Sequence, residues 1–475
     1  MKSEARSAPG LKLLGKRFGY MAFAQWGSGL LAGLFILFLA RTSAEAFGLF
    51  ALAMALGVLV TMLTGAGFEN YLVPKLSGGR VAMRRVLLQS LVIQAVLMVF
   101  SLVLLGLLCA ALGYEGGKTL IIMLIAAGMG PAAMAQSFFA LCRVLGRQDT
   151  EMRIRVAAGF CGSMYGILAL WLGASLPLVA LFKLVEAAVM WLLIAVSVRW
   201  RFAGFSGGWR DWALSWRDGM FFFGIAVCGL LYNKLCFYML DHYGGSRAVG
   251  LFNAPWEIVD GLCILVSGAL IEKVLFPLMA SQWRKDAGAF ARMTRVTVRC
   301  LILLGLFAGY FFWAEGDRIL PLLYGEEYAG TNTLLRVQIP CILAAFLHNL
   351  AACMLLSMRL HRPVFLAYAS GLLVNIILCL TLIPEYEALG AAWAISGTKV
   401  WMMLVTVALA MRFGLALGKR QIGAALLAAG AAWAGLFVLQ GAMWREAAEI
   451  AAVLPLLVLA AAWIPSIRGI PAGRE

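Results

Sequence analysis

Charge is scarce in this chain. Only 13% of its 475 residues are Asp, Glu, Lys or Arg, against about a quarter in a soluble domain. Histidine is scarcer still: His242, His348 and His361 stand far apart at no ligand spacing, which argues against a metal centre. The ten cysteines (109, 142, 161, 228, 236, 263, 300, 341, 353, 379) form no Cys-x-x-Cys pair and lie in or beside apolar stretches. They read as small buried hydrophobes, not as a disulfide or zinc framework. No nucleotide-binding Gly-rich Lys-Ser/Thr loop and no nucleophile motif occurs, so hydrolytic catalysis has no support, and no cofactor is expected. Apolar and polar residues do not alternate through runs such as Leu102 to Leu112, as barrel strands would require.

Apolar residues fill the space that charge leaves. They make up 63% of the chain, with a mean hydropathy of +0.91. They gather in blocks of about 20 residues, the length that crosses a hydrocarbon core of about 30 Å as a helix. About fourteen spans are predicted, near 18–40, 46–68, 86–112, 119–141, 156–174, 176–198, 219–240, 247–271, 297–314, 332–357, 363–384, 388–411, 421–440 and 447–464. The segment Met1 to Arg17 is polar and basic and a full-length span follows it, so no cleavable signal peptide is expected. The expected fold is an all-α polytopic membrane protein.

The cations test this map independently. With the N-terminus in the cytoplasm, thirty Lys and Arg fall on inner segments and five on outer ones: Arg41, Lys118, Arg247, Arg318 and Arg445. That bias is a strong positive-inside signature and puts both termini in the cytoplasm. The net charge of +16 is then mostly topology. Its cations are dispersed over short loops and make no folded basic patch, so nucleic acid is not an expected partner. Anionic lipid headgroups are.

The second half of the chain echoes the first. Phe47-Gly48-Leu49-Phe50 corresponds to Val249-Gly250-Leu251-Phe252, and Gly65-Ala66-x-x-Glu69-x-x-Leu72-x-Pro74 to Gly268-Ala269-x-x-Glu272-x-x-Leu275-x-Pro277. An even number of spans separates the copies, so the repeat is parallel. The expected organisation is a basic segment 1–17, a six-helix lobe 18–198, a cytoplasmic linker 199–218, a second six-helix lobe 219–412 around a shared central cavity, and two appended helices with a tail in 413–475.

Several stretches, in this order along the chain, resemble one family: "LARTSAEAFGLFALAMAL", "GGSRAVGLFNAPWEIVDGL", "VLFPLMA", "LPLLYGEEYAGTNTLLRV" and "LIPEYEALGAAWAISGT". They are similar to the Wzx-like polysaccharide and O-antigen flippases of the multidrug/oligosaccharidyl-lipid/polysaccharide exporter superfamily, from about residue 15 to 412. The resemblance implies a bacterial inner-membrane transporter, not an enzyme. It would pass an undecaprenyl-pyrophosphate-linked oligosaccharide from the cytoplasmic to the periplasmic leaflet by alternating access, beside polysaccharide polymerase or export machinery. The alternatives are a lipid II flippase and a cation-coupled drug antiporter of the same superfamily. Where family members often carry an Arg-x-Asp-like pair late in span 7, this chain has Tyr232-Asn233-Lys234-Leu235-Cys236, a cation without an acid.

An ionisable side chain at mid-bilayer costs about 2.5–3.5 kcal/mol or more, so each must face protein or water. The cations in spans are Lys183, Lys234, Arg336 and Lys399; the acids are Glu186, Glu257 and Asp260. Lys234 and Lys399 suit pyrophosphate best, as charge-assisted donors; Arg336 is a third candidate, close to the outer interface. Lys183 and Glu186 are three apart and can pair on one helix face. Glu257 and Asp260 are three apart with like charge. Either they exchange a proton, with Glu186 as a further coupling candidate, or Lys234 or Lys399 neutralises them. Gln25, Asn233, Asn253 and Asn375 could meet sugar hydroxyls or bridge helices.

The topology makes the first prediction. Reporter fusions after Arg80, Arg210 and Lys285 read cytoplasmic, and those after Gly116 and Glu327 read periplasmic. One reversed fusion breaks the fourteen-span map.

Overall fold

A chain crossing hydrocarbon must satisfy its peptide groups internally, and this one does so with helices. The computed structural model describes residues 29, 31–65, 80–197, 216–415, 418–440 and 444–468, and the statements below concern these. They contain no strand, and eleven of their helices are long and apolar enough to cross a membrane.

In chain order, α1 is Leu31–Ala40, α2 Ala44–Gly65, α3 Arg80–Ala111, α4 Gly116–Val144, α5 Gln148–Trp171 and α6 Leu176–Ser197. The short turn between α5 and α6 is made by Gly173, whose φ of 67° lies in the left-handed region that glycine enters freely.

The next helical run, Trp216–Ile264, breaks at Gly245 (φ 73°, ψ 176°). A straight helix would hold Phe237 and Phe252 about 22 Å apart. Their ring centroids are 5.4 Å apart, so the chain doubles back. The limbs are α7 (216–244) and α8 (246–264), and α8 runs on through π-helical turns at Leu265–Leu275 to Phe276–Lys285. After α9, Ala287–Tyr324, comes α10, in two pieces, Asn332–Gln338 and Pro340–Ser357. The run His361–Arg412 breaks at Glu387 (φ 45°, ψ −119°). Asn375 Nδ2 donates to Thr398 Oγ1 across 2.9 Å, so this run is also a hairpin, of α11 (361–386) and α12 (388–412). A Cβ on Gly390 would strike the Leu382 carbonyl, which is why the turn back can be this tight. Then follow α13, Lys419–Leu439, and α14, Arg445–Ala452 continuing as Leu454–Arg468.

With both hairpins opened, the eleven helices give thirteen long apolar limbs. The first predicted span, 18–40, is described only at 29 and 31–40. The largest departure from the hydropathy map is α9, predicted as 297–314 and observed as the 38-residue helix Ala287–Tyr324. Hydropathy registers the apolar middle of a helix and not its polar ends. The N-terminal end is capped by Asp286, whose carboxylate accepts from the amides of Gly288 and Ala289 at 2.8 and 3.0 Å. The Ala289 amide bond is the main reason this carboxyl titrates below the ordinary range.

The chain forms two compact units, Met1–Phe223 and Gly224–Glu475. In the first, a Cβ on Gly128 would hit the Lys183 backbone, and one on Gly162 would stand 2.7 Å from Glu186 Cβ. Small residues thus let α4 and α5 lie directly on α6, as helix pairs in lipid require. The repeat motif has a counterpart in packing. Phe35 packs on Phe50 at 6.3 Å between ring centroids, as Phe237 packs on Phe252 at 5.4 Å, and both residues move by the same 202 positions as the motif. Of the second motif, Ala66 to Pro74 lie outside the described residues.

In the second unit, α13 and α14 are fastened to α9. Trp433 meets Tyr310 and Trp313 edge-on, at 5.9 and 6.4 Å. At the end expected to be periplasmic, Arg445 grips both oxygens of Asp317 (2.6 and 2.7 Å) and Glu449 (2.8 Å), and Arg318 reaches Glu446 at 2.9 Å. A planar guanidinium forking onto a carboxylate gains geometry as well as charge. Arg445→Met should therefore lower stability by roughly 1–2 kcal/mol, read as a drop of a few degrees in the thermal unfolding midpoint of the purified protein. Arg292→Met, at an exposed ion pair of 3.8 Å, should change it little.

Candidate functional site

The turn at Glu387 sits at one end of α11 and α12. Lys399 lies twelve residues beyond it on α12, about 18 Å along the helix axis. That is the middle of a hydrocarbon core about 30 Å thick. Its side chain is buried. The ammonium is held over two rings, Tyr232 of α7 at 5.2 Å and Trp256 of α8 at 5.8 Å. Aromatic faces carry the negative end of a quadrupole and solvate a cation without adding charge. Asp260 of α8 acts on Lys399 through its field. The backbone puts Trp256 and Asp260 four residues apart, on one face of α8.

The second lysine, Lys234 on α7, is half-buried. It lies over the Phe237 ring at 5.0 Å, and Glu257 feels both its charge and that of Asp260. Asn253, one turn before Glu257 on α8, donates to its carboxylate at 3.4 Å. None of these four charges is in direct ion-pair contact with another. The cluster therefore holds two cations and two anions within electrostatic reach, with rings against the cations and the Asn253 amide against Glu257.

Polar contacts tie this cluster to its neighbours. Ser396, one turn before Lys399, donates to the Val337 carbonyl at 2.7 Å and meets Cys341 Sγ at 3.3 Å. Below Lys399, buried His348 of α10 hydrogen-bonds Thr406 of α12 and Tyr368 of α11, both at 3.1 Å. One imidazole thus joins three helices. Several buried polar atoms find no partner: Trp256 Nε1, Asn233 Oδ1, and both ends of the Gln338 amide. Such atoms are uncommon in folded proteins and mark places where water or a ligand belongs.

Of the residues singled out in the sequence, Lys234, Asn253, Glu257, Asp260 and Lys399 come together here. Asn233 is adjacent, with its amide donating to the Gly229 carbonyl at 2.7 Å. Asn375 is fully buried and donates to Thr398, so its amide bridges α11 and α12. Arg336 stands apart, exposed, with its guanidinium 5.1 Å over the Trp313 ring. Glu186 belongs to the first unit and is paired with Lys183 at 2.7 Å. Gln25 lies outside the described residues.

Sequence reasoning passed over Tyr232, Trp256 and His348. No spacing announces them, because their partners come from other helices. It also passed over Glu151 in the first unit, a buried carboxylate held by Arg143 at 2.7 and 2.9 Å and by Arg155 at 3.0 Å. Its carriers are at the adjoining ends of α4 and α5, where the charge count registers only cations. Among the described residues, no group of three or more His, Cys, Asp or Glu could hold a metal ion.

Long apolar helices with ionisable residues buried at mid-depth define a multi-pass membrane protein, and its fold is that of known transporters. The chain resembles the lipid II flippase MurJ in an inward closed conformation, at 12% identity and a TM-score of 0.73, covering 94% of this chain and 98% of that one. It also resembles the inward-facing conformation of a multidrug resistance MATE family transporter of the MOP superfamily, at 15% identity, TM-score 0.61, and 84% and 95% coverage. A third likeness is to a MOP superfamily transporter from Pyrococcus furiosus, described as having a binding pocket of reverse polarity, at 14% identity, TM-score 0.56, and 88% and 99% coverage. Identities this low carry the fold alone. No curated protein matches the sequence. Residues 38–332 match the family model described as "Polysaccharide biosynthesis protein". The match spans more than half of the chain, which belongs to that family.

The compensated cluster makes a prediction about stability. Lys399→Met removes the cation whose field reaches half-buried Asp260 and should cost roughly 1–2 kcal/mol. Adding Asp260→Asn should return most of that loss in a double-mutant cycle of thermal unfolding. If the two losses simply add, the residues are not coupled.

Proposed function

We propose that this chain flips an undecaprenyl-pyrophosphate-linked oligosaccharide, an O-antigen or exopolysaccharide repeat unit, from the cytoplasmic to the periplasmic leaflet by alternating access. The observation that carries the reading is its membership of the polysaccharide biosynthesis family in a chain with the fold of membrane transporters. The protein sits in the bacterial inner membrane with both termini in the cytoplasm, the orientation that its loop cations favour. The chain is organised as lobes 18–198 and 219–412, joined by 199–218, with the appended helices in 413–475. Polysaccharide polymerase or export machinery receives the product.

The substrate's diphosphate cannot cross hydrocarbon bare, and Lys234 is the cation best placed to receive it. It is half-buried and in no direct ion pair, whereas Lys399 is enclosed by Tyr232 and Trp256. Lys399 is assigned to set the field around the site. Arg336, being exposed, meets the diphosphate only near its expected outer end. Glu257 loses its cationic neighbour when the diphosphate takes Lys234, and Asp260 stays with Lys399. Asn233 and Asn253 are the sugar-facing amides. Asn375 and the Lys183–Glu186 pair are already committed to helix packing. The TM-score of 0.73 with a lipid II flippase supports a second reading, in which the carried headgroup is lipid II.

A strain lacking its own flippase tests the proposal by surface polysaccharide. Lys234→Ala should abolish export at normal expression, Lys234→Arg should restore part of it, and Lys234→Glu should be worse than Ala because it repels the diphosphate. Normal export by both the Ala and Glu variants would overturn the role of Lys234. Rescue of a strain depleted of its lipid II flippase, without export of the oligosaccharide, would favour the second reading.

A further inference from the structure

Two of the ten cysteines meet across helices. Cys236 of α7 and Cys379 of α11 are 143 positions apart in the chain, yet their sulfurs are 3.4 Å apart and both side chains are fully buried. The Asn375 amide touches both, with Nδ2 at 3.8 Å from Cys236 Sγ and Oδ1 at 3.7 Å from Cys379 Sγ. All ten cysteines are free thiols.

We propose that Cys236 and Cys379 form a peroxide-sensitive dithiol, whose closure to a disulfide staples α7 to α11 and arrests transport. The oxidant is a peroxide, hydrogen peroxide in its simplest form, small and uncharged enough to enter a protein interior. One thiol attacks the peroxide oxygen, giving a sulfenic acid and water. The sulfur of the second thiol then displaces that hydroxyl as a second water, forming the S–S bond. Two thiols and one peroxide give one disulfide and two waters. Burial slows the first step, since it limits the access of peroxide to either sulfur. The contact makes the second fast, because the resolving thiol is already in place.

Position links this modification to the candidate site. Closure draws the sulfurs from 3.4 Å to about 2.05 Å. Cys236 lies two residues after Lys234 and one helical turn after Tyr232, the ring beneath the Lys399 ammonium. Asn375, against both sulfurs, bonds Thr398, the neighbour of Lys399 in the chain. A disulfide there ties the turn of α7 that carries Tyr232 and Lys234 to α11, whose Asn375 bonds Thr398 beside Lys399. The arrest rests on the flippase reading; the cross-link does not.

The test treats the full-length protein in membrane vesicles with hydrogen peroxide and digests it for mass spectrometry. A peptide joining Cys236 to Cys379, lost on adding dithiothreitol, is expected. Export activity should fall at least tenfold on oxidation and recover on reduction. Cys236→Ser and Cys379→Ser should each export normally and resist peroxide. Single-residue sulfinic or sulfonic products without the joined peptide would overturn the dithiol. A joined peptide with unchanged export would overturn the arrest. Should a serine variant fail to accumulate, peroxide titration of the unaltered protein still decides, since cross-linking and loss of activity must rise together. A reduced protein that exports nothing would sink the flippase reading and leave the cross-link standing.

Discussion

An ammonium ion in the middle of a bilayer has no water to solvate it, and the second unit is organised around that fact. Lys399 is answered three times: by the Tyr232 ring, by the Trp256 ring and by the field of Asp260. Two of these come from α8 and one from α7, so the charge can be buried only if the hairpin turn at Gly245 brings those limbs beside α12. Replacing Gly245 by any residue with a Cβ would strain the turn on which this solvation depends.

The same requirement spreads outward through polar contacts. Lys399 shares α12 with Ser396, Thr398 and Thr406, and each bonds to a different neighbour: Val337, Asn375 and His348. Apolar surface gains little by leaving lipid for a protein interior that is equally apolar. Register in such a bundle is therefore set by hydrogen bonds and close packing of small residues. α12 is held at three heights by partners on two other helices, α10 and α11.

The first unit handles its charges differently. Lys183 and Glu186 neutralise one another within α6, and Glu151 is satisfied by two arginines at the adjoining ends of α4 and α5. These are direct ion pairs at 2.7 to 3.0 Å. In the second unit, Lys234, Glu257, Asp260 and Lys399 compensate one another at longer range, through rings and an amide. A direct pair has a single tight geometry. A looser cluster can exchange one anion for another at smaller cost, which suits the uptake and release of a diphosphate proposed for this site.

Sequence by itself determined the helices and much of the charge inventory. Hydrocarbon thickness dictates the length of each apolar run, and the expense of burying a charge makes Lys234, Glu257, Asp260 and Lys399 conspicuous wherever they occur. Even the two hairpins were legible, because the apolar runs stop before Gly245 and Glu387 and resume beyond them. Tertiary structure alone decided partnership. The 143-residue separation of Cys236 and Cys379, the rings beneath Lys399, and the three helices meeting at His348 all join residues that no periodicity relates. Composition reports what a side chain needs; only the packing of other helices determines which residue supplies it, because in lipid many apolar faces are interchangeable and the few polar contacts choose among them.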